Sequence, residues 1–179
     1  MPLRIFEARY IDMISERMRS DAPFGVLLIM DGHEAGPSST YEVGTLARIT
    51  DWYQGSDGLL GVTAMGEQRF RLLSAKRQPD GLNIGNVEIL PDEVPMALPD
   101  EYKGMANILA GVLDDLGRLY ESLERHYEDA GWVTHRFVEI LPIDLEQKQK
   151  CLETSDPAER LNLVSELLDT VRGPTPIKS

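Results

Sequence analysis

Leu3-Arg4-Ile5-Phe6-Glu7-Ala8-Arg9-Tyr10 opens the chain, and Gly66-Glu67-Gln68-Arg69-Phe70-Arg71 lies further along it. Each stretch mixes apolar residues with charged residues, which are costly to bury unless they are paired. Neither stretch resembles a set of catalytic residues, so the pattern favours a folded recognition module over an enzyme. We expect Glu7, Arg9 and Arg69 to form a partly buried ion network that fixes a first helix to a β domain. The alternative is that these charges contact a ligand.

Composition and charge limit the classes of function. The 179 residues suffice for one domain or two small ones, and 42% hydrophobic with 27% charged residues is typical of a soluble globular protein. The net charge of −12 argues against a nucleic-acid partner, because phosphate binding needs a basic surface, although a local basic patch is compatible with it. Cys151 is the only cysteine, which predicts no disulfide framework and a reducing, cytoplasmic location. No apolar run is long enough to span a membrane, and no membrane partner is expected.

The first part of the chain, residues 1–92, has the pattern of a β domain with one early helix. An apolar period over 10–18 predicts the helix, and Pro23 should end it. The apolar run over 24–30 predicts a strand buried on both faces. Four further segments have strand character: 43–53, 59–64, 70–73 and 82–90.

Two Asp-Gly pairs separate these strands. Asp57-Gly58 predicts a hairpin with a type I′ turn, in which both central residues need positive φ, and Asp80-Gly81 predicts a second hairpin. Several short strands at this spacing are typical of a small barrel or sandwich.

The pattern changes to helices after the β part. Three prolines and two acidic residues between Pro91 and Pro99 indicate a linker, which we place at 93–99. A helical subdomain is expected over 100–172, followed by a tail over 173–179.

Within the helical part, some residues are typical of helix starts. Asp144 with Gln147, and Asp156 with Glu159, have the spacing of a capping box. An apolar stripe over 105–119 predicts a long amphipathic helix.

Residues that could carry catalysis or hold a metal are sparse. His33, His126 and His135 have no histidine or cysteine at ligand spacing, so no metal site is expected. Cys151 sits at a helical position and is better interpreted as a small packed residue than as a nucleophile. No phosphate-binding glycine loop is present. We therefore predict no catalytic residues, no cofactor and no enzymatic activity.

Trp52 and Tyr53 are the candidates for a recognition surface. They lie at the end of a predicted strand beside a turn, where exposed aromatic residues often bind partners. Packing of the two rings under the neighbouring loop is an equally good interpretation.

Several short stretches, in order, carry a family resemblance. Beyond the two opening stretches, these are Phe24-Gly25-Val26, Val43-Gly44-Thr45-Leu46-Ala47, Glu146-Gln147-Lys148-Gln149-Lys150-Cys151-Leu152-Glu153 and Pro157-Ala158-Glu159-Arg160-Leu161. In them the chain resembles the N-terminal domain of the Lon protease, over about residues 2–171.

The resemblance implies an α+β fold, in which a PUA-like β pseudo-barrel is followed by a small helical subdomain. It also implies a domain that helps to select protein substrates, here in a stand-alone bacterial member without the ATPase and Ser-Lys peptidase domains. The residues that we assign to the scaffold of this fold are Phe6, Glu7, Arg9, Tyr10, Gly66, Arg69 and Phe70.

From these observations we expect a non-catalytic module that binds unfolded or exposed polypeptide, through an apolar groove or an open strand edge. The alternative is a PUA-like RNA-binding or adaptor protein. Family members usually carry an apolar strand before the opening stretch. Either that strand lies before residue 1 or the barrel lacks it, and if the barrel lacks it, an exposed sheet edge should promote self-association.

Overall fold

The computed structural model describes residues 1–32, 38–117, 120–121 and 123–172, with the side chains of Ser38 and Arg172 left aside. The chain divides into two compact units, Met1–Asp92 and Glu93–Ser179. Strands dominate the first unit and helices the second, so the predicted α+β class is confirmed. Of the sequence predictions, His33 and the tail over 173–179 lie outside the described residues.

The first unit is an antiparallel β structure with one helix. Sheet order is β1-β6-β5-β2, β7 also pairs with β6, and β3 pairs with β4 in a separate ladder. In the described part of the chain these pairings form an open sheet and do not close a barrel. Its elements are β1 (Pro2–Ile5), α1 (Ala8–Ser20), β2 (Phe24–Val26), β3 (Ile29–Gly32), β4 (Ser38–Thr40), β5 (Val43–Gln54), β6 (Leu60–Arg77) and β7 (Asn83–Ile89).

The strand β6 is longer than the sequence pattern suggested. The segments 59–64 and 70–73 were expected to be two strands, but one strand runs through Gly66. Gly66 stays in the ladder opposite Ala47 of β5, and a register shift between Thr45 and Ala47 absorbs the irregularity. Pairing with β5 and β7 therefore overrides the polar break in the sequence.

The two Asp-Gly turns share one geometry. In the first, Gly58 donates its N–H to Gly55 O at 2.9 Å and has a φ of 79°. In the second, Gly81 donates to Gln78 O at 2.9 Å and has a φ of 89°. Both predicted hairpins are present, but the type I′ turn predicted at Asp57-Gly58 is not formed. Only the glycine of each pair has positive φ, which is the pattern of a type I turn followed by a glycine bulge.

The apolar run over 24–30 does not form a strand buried on both faces. It breaks into β2 and β3, and the side chains of Ile29 and Met30 are exposed. The physical reason is position, because β2 lies at the edge of its sheet and β3 pairs only with β4 among the described strands. An apolar run alone does not report which strands will flank it.

The opening stretch of sequence itself provides the first strand. Leu3 of β1 lies opposite Val62 of β6, and the amino group of Met1 donates to Ala64 O at 2.7 Å. The opening stretch is therefore a strand of the sheet as well as the entry to α1.

The second unit packs its helices around an apolar core. Its elements are a 3₁₀ turn (Asp100–Tyr102), α2 (Lys103–Leu116), α3 (Ala130–Ile140), α4 (Leu145–Glu153) and α5 (Pro157–Arg172). The core includes Leu109, Leu113, Val133 and Val164, each with no exposed surface. The capping box at Asp144 and Gln147 is confirmed by bonds in both directions. No helix among the described residues is long and apolar enough to cross a membrane.

The segment over 93–99, for which prolines predicted a linker, is bonded into the second unit. Leu98 donates its N–H to Glu128 O at 2.7 Å, and Ala130 donates to Met96 O at 2.8 Å. Leu98 is buried. The division into a β domain over 1–92, a linker over 93–99 and a helical subdomain over 100–172 stays a prediction.

Candidate functional site

Trp52 and Tyr53 lie near the end of β5 and are both exposed, at 57% and 51% of their surfaces. Successive side chains of a strand point to opposite faces, and the register agrees. Trp52 lies opposite the buried Val62, whereas Tyr53 lies opposite Gly61. The structure therefore exposes both predicted binding residues but does not unite them in one surface.

The Tyr53 ring rests on a glycine. A Cβ atom placed on Gly61 would lie 2.3 Å from Tyr53 Cζ, so only glycine leaves room for the ring at this cross-strand position. The contact holds one side of the ring against the backbone of β6. The exposed remainder is a fixed aromatic surface with little conformational freedom to lose on binding.

Trp52 borders a cleft of about 310 Å³ between the end of α1 and β5. Met18 of α1, itself 39% exposed, contributes a second apolar side chain. Arg17 also lines the cleft, and its Nε is buried with no hydrogen-bond partner among the described residues. The cleft thus combines an aromatic ring, a flexible thioether and a cation.

Arg48 forms the cleft wall by joining three elements. Its guanidinium pairs with Glu67 of β6 and donates to the carbonyl oxygen of Asp21, and Nη1 lies 3.0 Å from Asp21 Oδ1. These hydrogen bonds, that to Glu67 first, raise the pKa of Arg48 above its ordinary value. Asp21 ends α1 in the left-handed conformation, with a φ of 48°. Glu67, from the second of the two opening stretches, therefore helps to position α1 beside Trp52.

Arg9 couples the first stretch to the far hairpin. The residue is 7% exposed, Nη2 lies 2.7 Å from Glu7 Oε2, and Nη1 donates to Gly81 O at 2.6 Å. Its Cζ also lies 4.7 Å from the centre of the Tyr10 ring. These contacts join the start of α1 to the turn between β6 and β7. Phe6 beside them is 67% exposed.

Phe70 places the second stretch in the core of the β unit. Its side chain is 1% exposed, and Leu90 donates its N–H to Arg69 O at 2.9 Å. A Cβ atom on Gly44 would lie 2.8 Å from Phe70 Cζ and 2.4 Å from Val26 O. The Val26 carbonyl and the Phe70 ring therefore leave no room for a side chain at position 44, which accounts for the glycine in the 43–47 stretch.

The comparison with known families assigns the chain. The model of the substrate-binding domain of ATP-dependent protease La (LON) matches residues 1–170. This chain belongs to the Lon substrate-binding domain family.

The Lon relatives align with nearly the whole of this chain, and a solved Lon domain has the same fold. Lon protease 2 of Myxococcus xanthus is 24% identical over 96% of this chain, and the chain spans only 22% of that relative's length. A Lon N-terminal domain protein from Xanthomonas campestris superposes with a TM-score of 0.76 at 30% identity, covering 93% of this chain and 88% of that one. Protein cereblon of Danio rerio is 32% identical over 56% of this chain and 23% of its own length. The chain thus spans less than a quarter of the length of these two curated relatives.

In this Lon-family domain, His126 contacts neighbouring side chains and Cys151 is buried. His126 Nε2 lies 3.6 Å from Glu124 Oε1, and His126 Nδ1 lies 3.7 Å from Glu128 Oε1. The imidazole ring packs edge-on against Trp132. Burial raises the pKa of the Cys151 thiol and so disfavours the thiolate. Within the described ranges no three His, Cys, Asp or Glu side chains form a group that could hold a metal ion.

Sequence reasoning missed a buried ion pair in the helical unit. Arg160 has no exposed surface, and its Nη1 lies 2.6 Å from Glu93 Oε1. The same guanidinium donates through Nε to Thr134 Oγ1 at 3.0 Å and through Nη1 to Thr154 O at 2.8 Å. His135 Nε2 lies 3.3 Å from Glu93 Oε1. The family resemblance includes the stretch that contains Arg160, but no local sequence pattern links this residue to Glu93.

Proposed function

We propose that this Lon-family domain is a non-catalytic module that binds unfolded or exposed polypeptide segments in the cytoplasm. Membership of a substrate-binding family supports a binding role. The observation that carries the proposal is the exposed Trp52 ring at the border of the cleft with Met18. Aromatic and methionine side chains are enriched in protein interfaces, because both contribute large contact areas.

The cleft offers a partner more than apolar surface. Its volume of about 310 Å³ is at the lower end of the range for binding pockets and would take one large side chain. The guanidinium of Arg17, which also lines the cleft, adds a positive charge beside the apolar surface. We propose that an apolar side chain of the partner enters between Trp52 and Met18, and that Tyr53 provides a separate contact on the opposite face.

The proposal is tested with a fluorescently labelled, reduced and carboxymethylated polypeptide that cannot fold. Trp52→Ala should weaken its binding by about tenfold, as expected for an aromatic anchor. Leu73→Ala is the control, because Leu73 is an exposed apolar residue of the same unit that does not line the cleft. Tyr53→Ala measures the contribution of the opposite face independently. Equal binding by the wild-type and Trp52→Ala chains would place the polypeptide elsewhere, and no binding by the wild-type chain would refute the proposed function.

A further inference from the structure

The outer edge of β7 presents unused backbone groups. Leu90 donates its N–H to Arg69 O, and Leu82 O accepts from Gln78 N at 2.8 Å. The two residues that flank the strand therefore direct their backbone groups towards β6. Alternate residues of a strand direct their backbone groups to the same edge, which makes the even-numbered residues between them face β6 as well. The odd-numbered residues direct their N–H and C=O groups away from β6: Asn83, Gly85, Val87 and Ile89.

Little blocks this edge within the described part of the chain. All seven residues of β7 are exposed, and the exposure of Gly85 is exposure of backbone, since glycine has no side chain. Natural sheet edges are commonly blocked by proline, by lysine, by a bulge or by a covering element. The strand contains no proline or lysine, Glu88 is its one charged residue, and the register shift lies on the β6 side. Among the described strands, β6 is its only partner.

We propose that two copies of this chain associate by antiparallel pairing of β7 with β7, about a two-fold axis at Asn86. This register pairs all seven residues, and every outward N–H and C=O then finds a partner, giving about eight backbone hydrogen bonds. A centre at Gly85 or at Val87 would leave residues at the strand ends unpaired. The strand's own length and edge pattern therefore select the register.

The side chains of β7 are complementary to a second copy of themselves. On the face shared with Phe70, Val87 would lie beside Gly85 of the second copy, and Ile89 beside Asn83. On the other face, Glu88 would lie beside Ile84 of the second copy, so the two glutamates do not oppose each other. Val87, Ile89 and Ile84 are 39%, 44% and 47% exposed, and the pairing would cover part of this apolar surface.

The net charge of −12 opposes this association at long range, because the two copies repel each other. At 0.1 M salt, repulsion between charges more than about 10 Å apart is largely screened, while hydrogen bonds and apolar contacts at the edge are little affected. Dimerisation should therefore strengthen when salt is added. Pairing held by ion pairs would show the opposite dependence.

Sedimentation equilibrium of the full chain tests the proposal, with two variants and one control. Val87→Pro removes an outward N–H without removing a bond to β6, and Val87→Lys adds the charge that blocks natural edges. Each should weaken dimerisation by about tenfold or more. Val94→Lys is the matched control, because Val94 is 79% exposed and lies outside the strands, and it should change dimerisation by less than about twofold.

Three results would overturn the proposal. They are a wild-type chain that stays monomeric at high salt, a dimer unaffected by either Val87 variant in folded protein, and a dimer that dissociates as salt rises. If the Val87 variants lost polypeptide binding in a monomeric chain, the edge would belong to an extended polypeptide and not to a second copy. Because no polypeptide is present in the sedimentation experiment, its outcome is independent of the Trp52 test.

Discussion

At the scale of single residues, the glycines of the two turns differ in their surroundings. Gly58 and Gly81 have similar positive φ values, 79° and 89°. Nothing lies within 4 Å of a Cβ atom placed on Gly58, whereas one placed on Gly81 would lie 3.0 Å from Arg9 Nη1. The pair therefore separates the cost of backbone strain from the cost of disturbing the Arg9 contact.

We predict that Gly58→Ala lowers the free energy of unfolding by about 1 kcal/mol, from backbone strain alone. Gly81→Ala should cost about 1 kcal/mol more, since it also displaces the guanidinium that donates to Gly81 O. Urea denaturation of both variants measures the difference. Equal losses would show that Arg9 adjusts freely and does not hold the hairpin.

At the scale of elements, the Glu93–Arg160 pair joins the start of the second unit to α5. Burial alone would raise the pKa of the Glu93 carboxyl, but the hydrogen bonds from His135 and Arg160 outweigh it and lower that pKa from 4.5 to about 2. The charged carboxylate is therefore the form that the fold stabilises. Arg160 would be a buried, unpaired charge if Glu93 were neutral.

The pH dependence of stability follows from the lowered pKa of Glu93. The contribution of this carboxylate is complete above pH 4.5 and is lost as the pH falls towards 2, with a magnitude of roughly 3 kcal/mol. We predict that Glu93→Gln destabilises the helical unit at pH 7 and flattens the loss of stability between pH 4.5 and 2. Urea denaturation at several pH values checks this, with the exposed Glu146→Gln as control. An unchanged acid profile in Glu93→Gln would assign the loss to other carboxylates.

At the scale of the whole molecule, the net charge distinguishes polypeptide binding from RNA binding. A chain with a net charge of −12 repels phosphate backbones, so we predict no RNA retention at 0.15 M salt. The same chain should retain the unfolded polypeptide under these conditions. A filter-binding assay with mixed-sequence single-stranded RNA checks the prediction. RNA binding that falls steeply with added salt would contradict it and favour the RNA-binding alternative.

The family, the α+β class and the local features with short-range causes are readable in the amino-acid sequence. The Asp144–Gln147 capping box and the positions of the hairpin turns at Gly58 and Gly81, although not their turn type, depend on residues within a few positions of each other. Such features are readable because their energetics hardly depend on the rest of the chain. The exposure of Trp52 was one of two open interpretations, which the pattern could not decide.

Features that depend on distant partners appear only in the folded chain. β6 runs through Gly66 because β5 and β7 supply its hydrogen bonds, and the 24–30 run is not buried on both faces because β2 lies at the edge of its sheet. Glu93 and Arg160 meet across 67 positions of sequence, where no periodicity links them. Trp52 and Tyr53 stand on opposite faces because strand register, and not sequence adjacency, sets where side chains point.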